Sequence, residues 1–548
     1  MKKQWLIGSA LATTSFLLVA CGNNTKTSNS NAQQKMNLSV VSEIATMDPS
    51  HASDTTSMQQ LENTGEGFLQ LGKDSKIENE LATKIQESKD GKTYTFTLRH
   101  DGKWNDGAKL TARDFVYGWQ RTINPKTASE YAYLYSGIQN ADAIMNNKKN
   151  YQSLGIKAVG KYKVVVTLDH PISYFKLLMA MPVFYPQQKS AVDKFGKKYG
   201  TSSKYIASNG PFVLKGWNGT NNTWKLVKNQ NYWDKKHVKL SSVGFQVVKS
   251  PTTSFNLYQT GKLDQTQLFD QQVANKKHAS DFVLEKNASM LYLQMNMKAQ
   301  NATLRKAYNN INIRKALSLA LNRKQLVNKV LADGSLAPKG FVTEGLSKNP
   351  TTGEDFAKES TVKTSVSYNL TEARKYWKKG LAEIGVKKLS MNLLSDDTDT
   401  TKQVAEYVQG QWKKLDGMNV TLSNVPAKTR IDRSSKGNFQ VVISGWGADF
   451  SDPVTFLNLY DKGNSGNAGN WNNATYDKLL TNINGIDSTN PTKRWQDMVK
   501  AEKVLMTEQV AIPLYQKSNA FLRSKKIKGL ITNSAGPAHN YKFVSMSK

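Results

Sequence analysis

The chain has 548 residues, 39% of them hydrophobic, with 11 Trp, 22 Tyr and 19 Phe, enough to bury cores for several domains of roughly 100 to 200 residues each. A single cysteine excludes an intramolecular disulfide. Lys and Arg number 75 against 43 Asp and Glu, a net charge of +32, yet the lysines are spread over the whole chain. With no zinc-knuckle, helix-turn-helix or aromatic RNA-binding signature beside them, they argue against a nucleic-acid partner. The surplus suits a surface lying against anionic head groups and wall polymers, or one that only keeps the protein soluble.

In chain order the first segment is Met1-Lys2-Lys3, an apolar run from Trp5 to Leu18, and Leu18-Val19-Ala20-Cys21. A basic start, an apolar run too short for a comfortable membrane span and a small residue before the cysteine mark a cleaved signal peptide, residues 1–20. The tetrapeptide resembles the lipobox of bacterial lipoproteins. That resemblance implies lipidation at Cys21 and an anchor on the extracellular face of the cytoplasmic membrane, in the cell envelope. The alternative for a lone cysteine is an inert core residue. Residues 21–35, rich in Asn, Ser, Thr and Lys, read as a lipidated flexible tether.

Met36 to Val41 alternates Leu38 and Val40 with polar neighbours, as a strand does, and Asp48-Pro49 favours a turn. Thr93 to Arg99 places Tyr94, Phe96 and Leu98 on one face of a half-buried strand, with a turn at Asp106-Gly107 beyond it. Thr111 to Asp114 has the form of a helix start, with Thr111 as cap and Phe115, Val116 and Trp119 following at helical spacing. Tyr162, Val164, Val166 and Leu168 predict another strand. Phe212-Val213-Leu214 predicts a further one, after the turn Ser208-Asn209-Gly210-Pro211, paired with Trp224 to Val227. Helices are predicted from Ile313 to Leu321 and, capped by Asn369, to Ile384 with the stripe Leu370, Ala373, Trp377, Leu381 and Ile384. Strands and helices interleave throughout, so the class is mixed α/β.

The sequence lacks the patterns that carry most chemistry. The six histidines have no close pairing and no second cysteine exists, so no metal site is expected. No phosphate loop and no G-x-S-x-G elbow occurs. Asp396, Asp397 and Asp399 lack the glycine and terminal glutamate of a calcium loop and read as a solvated turn. No cofactor is expected. A carboxylate pair for glycoside hydrolysis from distant segments stays open, with nothing pointing to it.

The run Trp104-Asn105-Asp106-Gly107 through Leu110-Thr111-Ala112-Arg113-Asp114-Phe115-Val116-Tyr117-Gly118-Trp119, with Asn209-Gly210-Pro211-Phe212, Asn231-Tyr232-Trp233-Asp234, Arg314-Lys315-Ala316-Leu317 and Ile512-Pro513-Leu514-Tyr515, resembles the oligopeptide-binding lipoproteins of bacterial peptide ABC importers, extracellular solute-binding proteins of family 5. The order and spacing of these pieces run over most of the chain. The resemblance implies a three-lobed periplasmic-binding-protein-like fold, two α/β lobes joined by a hinge plus an inserted extra domain, with no catalytic apparatus. Domain I would comprise 36–65, 206–288 and 508–548, domain II 66–205, and domain III 289–507.

Ser444-Gly445-Trp446-Gly447-Ala448-Asp449 is similar to the family's ligand strand. The resemblance implies that Asp449 pairs with the α-amino group of a peptide and that the backbone around Gly445 and Gly447 bonds its main chain. Ser53, Asp54 and Thr55 match the loop facing the peptide, and Tyr131, Tyr133 and Trp446 match pocket walls. The alternatives are a turn-capping Asp449 and a core Trp446; Asp452, before Pro453, is assigned a turn. Where some relatives place an arginine to meet a short peptide's carboxylate this chain has Ile443, and a pocket tryptophan corresponds to Ala427. The implied protein is a monomeric receptor that delivers oligopeptides to permease subunits driven by cytoplasmic ATPases. The rival readings are a dedicated pheromone or single-ligand receptor of the same fold, a wall-associated adhesin, and an extracellular hydrolase.

Overall fold

The computed structural model describes residues 34–547 apart from 270, 463, 465 and 537. The signal peptide, Cys21 and nearly all of the expected tether lie outside the described residues.

The backbone is organised by one ten-stranded sheet. Its order is Met418–Val425, Leu389–Asp396, Val441–Gly447, Phe282–Met295, Ala511–Arg523, Gln265–Leu268, Lys35–Val40, Ser242–Val247, Thr223–Lys228, Phe212–Lys215. The strand expected at Met36 is there, with Met36 and Leu38 buried and Lys35–Val40 pairing in parallel with Ser242–Val247. Phe212–Lys215 and Thr223–Lys228 form the expected antiparallel pair. The two longest strands, Phe282–Met295 and Ala511–Arg523, run through both halves of the sheet. Their register breaks between Lys286 and Met290. At that break the N–H of Ala288 turns aside to the carbonyl of Ser534 at 2.8 Å, and its carbonyl accepts from Ala448 at 2.7 Å.

A separate four-stranded antiparallel sheet has the order Ala82–Glu87, Thr93–Leu98, Lys163–Thr167, Ile156–Ala158. Its alternating residues Tyr94, Phe96 and Leu98 are buried, as are Val164 and Val166 on the next strand. Helix Ala112–Ile123 closes this core through Phe115 and Trp119, which meet Phe68 at ring-centroid distances of 3.8 and 6.0 Å. Phe115→Ala there costs about 3–5 kcal/mol. At the start of the helix Thr111 and Asp114 form a capping box, in which Asp114 accepts from the Thr111 N–H at 2.7 Å and from its hydroxyl at 3.0 Å.

Helix Leu370–Ile384 begins where Asn369 accepts from the Glu372 N–H at 3.0 Å and stops at Gly385, whose φ of 76° suits glycine. It buries Ala373, Trp377 and Leu381 and lies close against helix Ile311–Leu319, where Gly380 leaves room for Ile313. That second helix ends two residues earlier than predicted, because Asn322 caps a fresh turn at Arg323–Gln325.

Candidate functional site

Strand Val441–Gly447 is paired along its full length with Phe282–Met295, from Met295↔Val441 to Ser289↔Gly447. On its other side Leu389–Asp396 meets it only at Leu393↔Val441 and Leu394↔Val442, then diverges. From Ile443 to Gly447 one edge of the strand is therefore open among the described residues, and every second residue directs its N–H and C=O outward. Gly445 and Gly447 are exposed on this stretch. A Cβ on Gly447 would meet nothing within 4 Å, and one on Gly445 would make only ordinary contact with Leu291. The glycines are thus not demanded by the protein's own packing; they keep the strand surface bare.

Two residues past the strand lies Asp449. Its only hydrogen-bond partner among the described residues is the Tyr133 hydroxyl, which donates to Oδ2 at 3.2 Å. Burial pushes the carboxyl up from its ordinary 3.8 to about 6, against the opposing effect of the Tyr133 hydrogen bond. Tyr131 stands edge-on to Tyr133 at 6.1 Å, and the next residue back, Glu130, accepts a hydrogen bond from the Ser53 hydroxyl. The phenol of Tyr131 is raised by burial and by the negative charges of Asp449, Glu130 and Asp54, which places three carboxylates around the two tyrosines. A net charge of +32 gives way here to a small acidic mouth suited to a cation.

Of the residues expected at the site, Ser53, Tyr131, Tyr133 and Asp449 form one chain of contacts drawn from three distant segments. Asp54 caps helix Thr55–Thr64, accepting from the Ser57 N–H at 2.8 Å, and contributes charge rather than contact. Thr55 is the exposed first residue of that helix. Trp446 is half-buried, with its indole N–H directed to Thr455 at 3.3 Å, between the two alternatives. Asp452 accepts from the Val454 N–H at 2.9 Å, as a turn residue does, and also forms a buried two-pronged ion pair with Arg494 at 2.8 and 3.0 Å. Sequence reasoning missed that pair and Glu130. Nothing local announces Arg494, 42 residues away, whereas an acid next to Tyr131 was a readable signal for Glu130.

A cavity of about 900 Å³ opens at Ser451, bounded by Val283 to Lys286 and Gly345 to Asn349. Two buried polar atoms on its wall, Ser451 Oγ and Asn533 Nδ2, have no partner among the described residues. No group of three or more His, Cys, Asp or Glu among the described residues is placed to hold a metal ion. No described helix is long and apolar enough to cross a membrane.

An open strand edge beside an acidic pocket, set between sheet halves joined by two long strands, defines a binding protein of the periplasmic-binding-protein fold. Residues 76–468 match the family model for bacterial extracellular solute-binding proteins, family 5 (middle region). The chain belongs to that family. It is 38% identical to a dipeptide-binding protein of Lactococcus lactis subsp. cremoris, over 99% of both chains. Among solved structures it is similar to Listeria monocytogenes OppA bound to peptide, with 38% identity, a TM-score of 0.76, and coverage of 94% of this chain and 100% of that one. It is also similar to the pheromone receptor PrgZ, with 35% identity, a TM-score of 0.77, and coverage of 94% and 100%. The mixed α/β class and the binding-protein fold expected from the sequence are those observed.

Proposed function

We propose that this protein is a lipid-anchored extracellular receptor that binds oligopeptides between two lobes and delivers them to an ABC permease with cytoplasmic ATPases, acting as a monomer and hydrolysing nothing. The observation that carries the reading is the open edge Ile443 to Gly447 ending at Asp449. An extended peptide offers the same amides whatever its side chains, so pairing on a strand edge gives affinity without sequence choice. Asp449, lifted by burial and acidic in its surroundings, then receives the peptide ammonium and fixes the register. Gly445, Gly447 and Trp446 present the groove, Ser53 to Thr55 and Tyr131 with Tyr133 face it, and the cavity at Ser451 gives side chains room. Lobes of 36–65 with 206–288 and 508–548, of 66–205, and of 289–507 would close about the register break at residues 287–289. The names of the peptide-binding relatives support the same reading.

A dedicated single-ligand receptor is the second reading, favoured by Ile443 in place of a carboxylate-binding arginine and by the likeness to a pheromone receptor. Mass spectrometry of ligands retained by the purified protein separates the two: many unrelated peptides support general capture, and one species supports a dedicated receptor. Asp449→Asn combined with N-acetylated peptides tests the anchor of the ligand. Once the lobes close, stranding the ammonium costs about 3–5 kcal/mol, which is about a hundredfold to a few thousandfold in affinity. The two changes together should cost far less than their sum, because both remove one interaction. Additive losses in calorimetric titration would refute the assignment. For the membrane anchor, Cys21→Ala should abolish labelling by a radioactive fatty acid.

A further inference from the structure

Where the two long strands lose register, a third segment is laced across them. Residues 336–344 lie beside Ala511–Arg523, and Leu336 and Gln516 exchange both backbone hydrogen bonds at 2.9 Å. The Gln516 side chain is buried at the break itself, since Lys286 pairs with Ser518 and Met290 with Gln516. Its Nε2 donates to the carbonyls of Asn287 at 3.1 Å and Glu344 at 2.8 Å, and its Oε1 accepts from the Glu344 N–H at 2.9 Å. The Glu344 carboxylate pairs with Lys286 at 2.5 Å and Lys339 at 2.9 Å, and the next carbonyl, of Gly345, accepts from the Ser534 hydroxyl at 3.0 Å. One end of the segment is thus fixed to residues that precede the break on the first long strand.

Its middle is held from the other side. Phe341 packs edge-on against Tyr292, Phe456 and Tyr460, with ring centroids 4.8, 5.7 and 5.4 Å away. Glu502, fully buried on helix Pro491–Glu508, accepts through Oε1 from the N–H of Phe341 at 2.5 Å and of Val342 at 3.2 Å. A Cβ at residue 340 would collide with that oxygen, so Gly340 admits the close approach. Glu502 Oε2 and the Thr343 hydroxyl are buried with no partner among the described residues. Burial pushes the Glu502 carboxyl up from 4.5 to about 7 against the two amide donors, and no cation among the described residues pairs with it. The phenol that faces it, Tyr476 of helix Ala474–Asn484, is raised by burial and by the charges of Glu502, Asp461 and Asp477. Tyr292 and Tyr460, around Phe341, are likewise raised by burial, so no phenol here titrates near neutrality. Lys339 and Glu344, the other charges on the segment, pair with each other.

On the reading that the lobes close about residues 287–289, we infer that residues 336–344 form a strap across that hinge and that Glu502 is its proton-operated catch. A protonated carboxyl lies in its dry site at little cost and still offers an oxygen to both amides, so the strap stays seated. Once ionised, the carboxylate gains water only if the strap lifts. The seated state therefore binds the proton more tightly than the lifted one: the hold is complete below about 4.5 and is lost as pH rises to about 7. Lifting the strap withdraws Glu344 from Gln516 and Lys286 and leaves the break free to bend. The empty receptor opens more readily at neutral pH than in acid.

The test uses ligand-stripped full-length protein, because Asp449 alters peptide affinity over the same range. Hydrogen exchange followed by mass spectrometry from about pH 5 to about pH 8, corrected for the intrinsic rate, gives the opening ratio of residues 336–344. It should rise by about tenfold per pH unit up to about 7 and then level off. Glu502→Gln keeps an acceptor for both amides and cannot ionise, so its ratio should stay at the acid value throughout. Small-angle scattering should show a larger mean radius for wild type than for Glu502→Gln at neutral pH, and equal radii in acid. Gln516→Met removes the other anchor and should raise both strap exchange and radius already in acid; this arm decides the matter if Glu502→Gln fails to fold. A level wild-type profile, or a slope that survives Glu502→Gln, overturns the catch. A strap that lifts with no change of radius overturns its hold on the hinge. Wild type saturated with a co-purifying peptide is the control: a radius that peptide does not shrink overturns the closing lobes themselves.

Discussion

Asp449 titrates at about 6 because burial withholds water and supplies only the Tyr133 hydroxyl in return. The folded state therefore binds this proton more tightly than the unfolded chain does. The carboxyl adds stability while protonated, and that contribution is lost as pH rises from about 4 toward 6. At neutral pH the empty site holds a poorly solvated charge, which a peptide ammonium relieves. Two outcomes follow from the sign. Affinity for free peptides should fall as pH drops below about 6, approaching a tenfold loss per unit, and Asp449→Asn should flatten that profile in a titration series. The same substitution should leave the thermal midpoint at pH 7 unchanged or raise it, since it removes a charge that folding does not favour. Arg494 behaves in the opposite way. Arg494→Met leaves Asp452 buried without its partner, at a cost of about 3–5 kcal/mol, and calorimetric unfolding should show a clear fall in midpoint.

At the scale of elements, the groove is a strand whose second neighbour departs after two paired residues. If a ligand takes that neighbour's place, its amides alternate between bonding the strand and facing away. Replacing each peptide N–H in turn by N-methyl should then weaken binding at every second position, by about tenfold per lost bond once the partner carbonyl is left buried. Exchanging the side chains should change little, and a scan without a period of two would argue against strand pairing. Periodicity in the sequence was enough to find the strands at Met36, Thr93 and Phe212 and the helix capped by Asn369, because burial of one face dictates those patterns. It did not reveal that Val441–Gly447 has an open edge. That depends on where Leu389–Asp396 diverges, which local composition does not encode. The candidate site residues came only from family likeness: Tyr133 and Asp449 lie 316 positions apart and carry no local mark of their meeting. Arg494 was missed for the same reason, whereas Glu130, beside Tyr131, was readable from the sequence.

For the whole molecule, the unit that carries the four-stranded sheet touches the far half of the ten-stranded sheet just past the groove strand, at Asp449 and Phe450. Tyr133 reaches Asp449, and Tyr174 stacks on Phe450 with ring centroids 4.5 Å apart and planes 9° from parallel. Tyr174 also lies near the buried Asp452 and Arg494 pair, whose charges both act on its phenol. Any opening that admits a peptide must separate these contacts. A stacked pair is worth about 0.5–1.5 kcal/mol beyond the area it buries, so Tyr174→Leu, which keeps an apolar side chain and loses the stacking, should move the closed-to-open ratio by about twofold to tenfold. Apparent affinity scales with the fraction of closed, binding-competent protein. Peptide binding should therefore weaken by up to that factor although residue 174 makes none of the proposed ligand contacts, and the loss should appear mainly as faster dissociation. Small-angle scattering should show a larger mean radius for the ligand-free variant than for ligand-free wild type, and equal radii once both are saturated. Unchanged affinity together with unchanged scattering would mean that the Tyr174 and Phe450 contact does not resist opening, and that closure is governed at the register break of the two long strands alone.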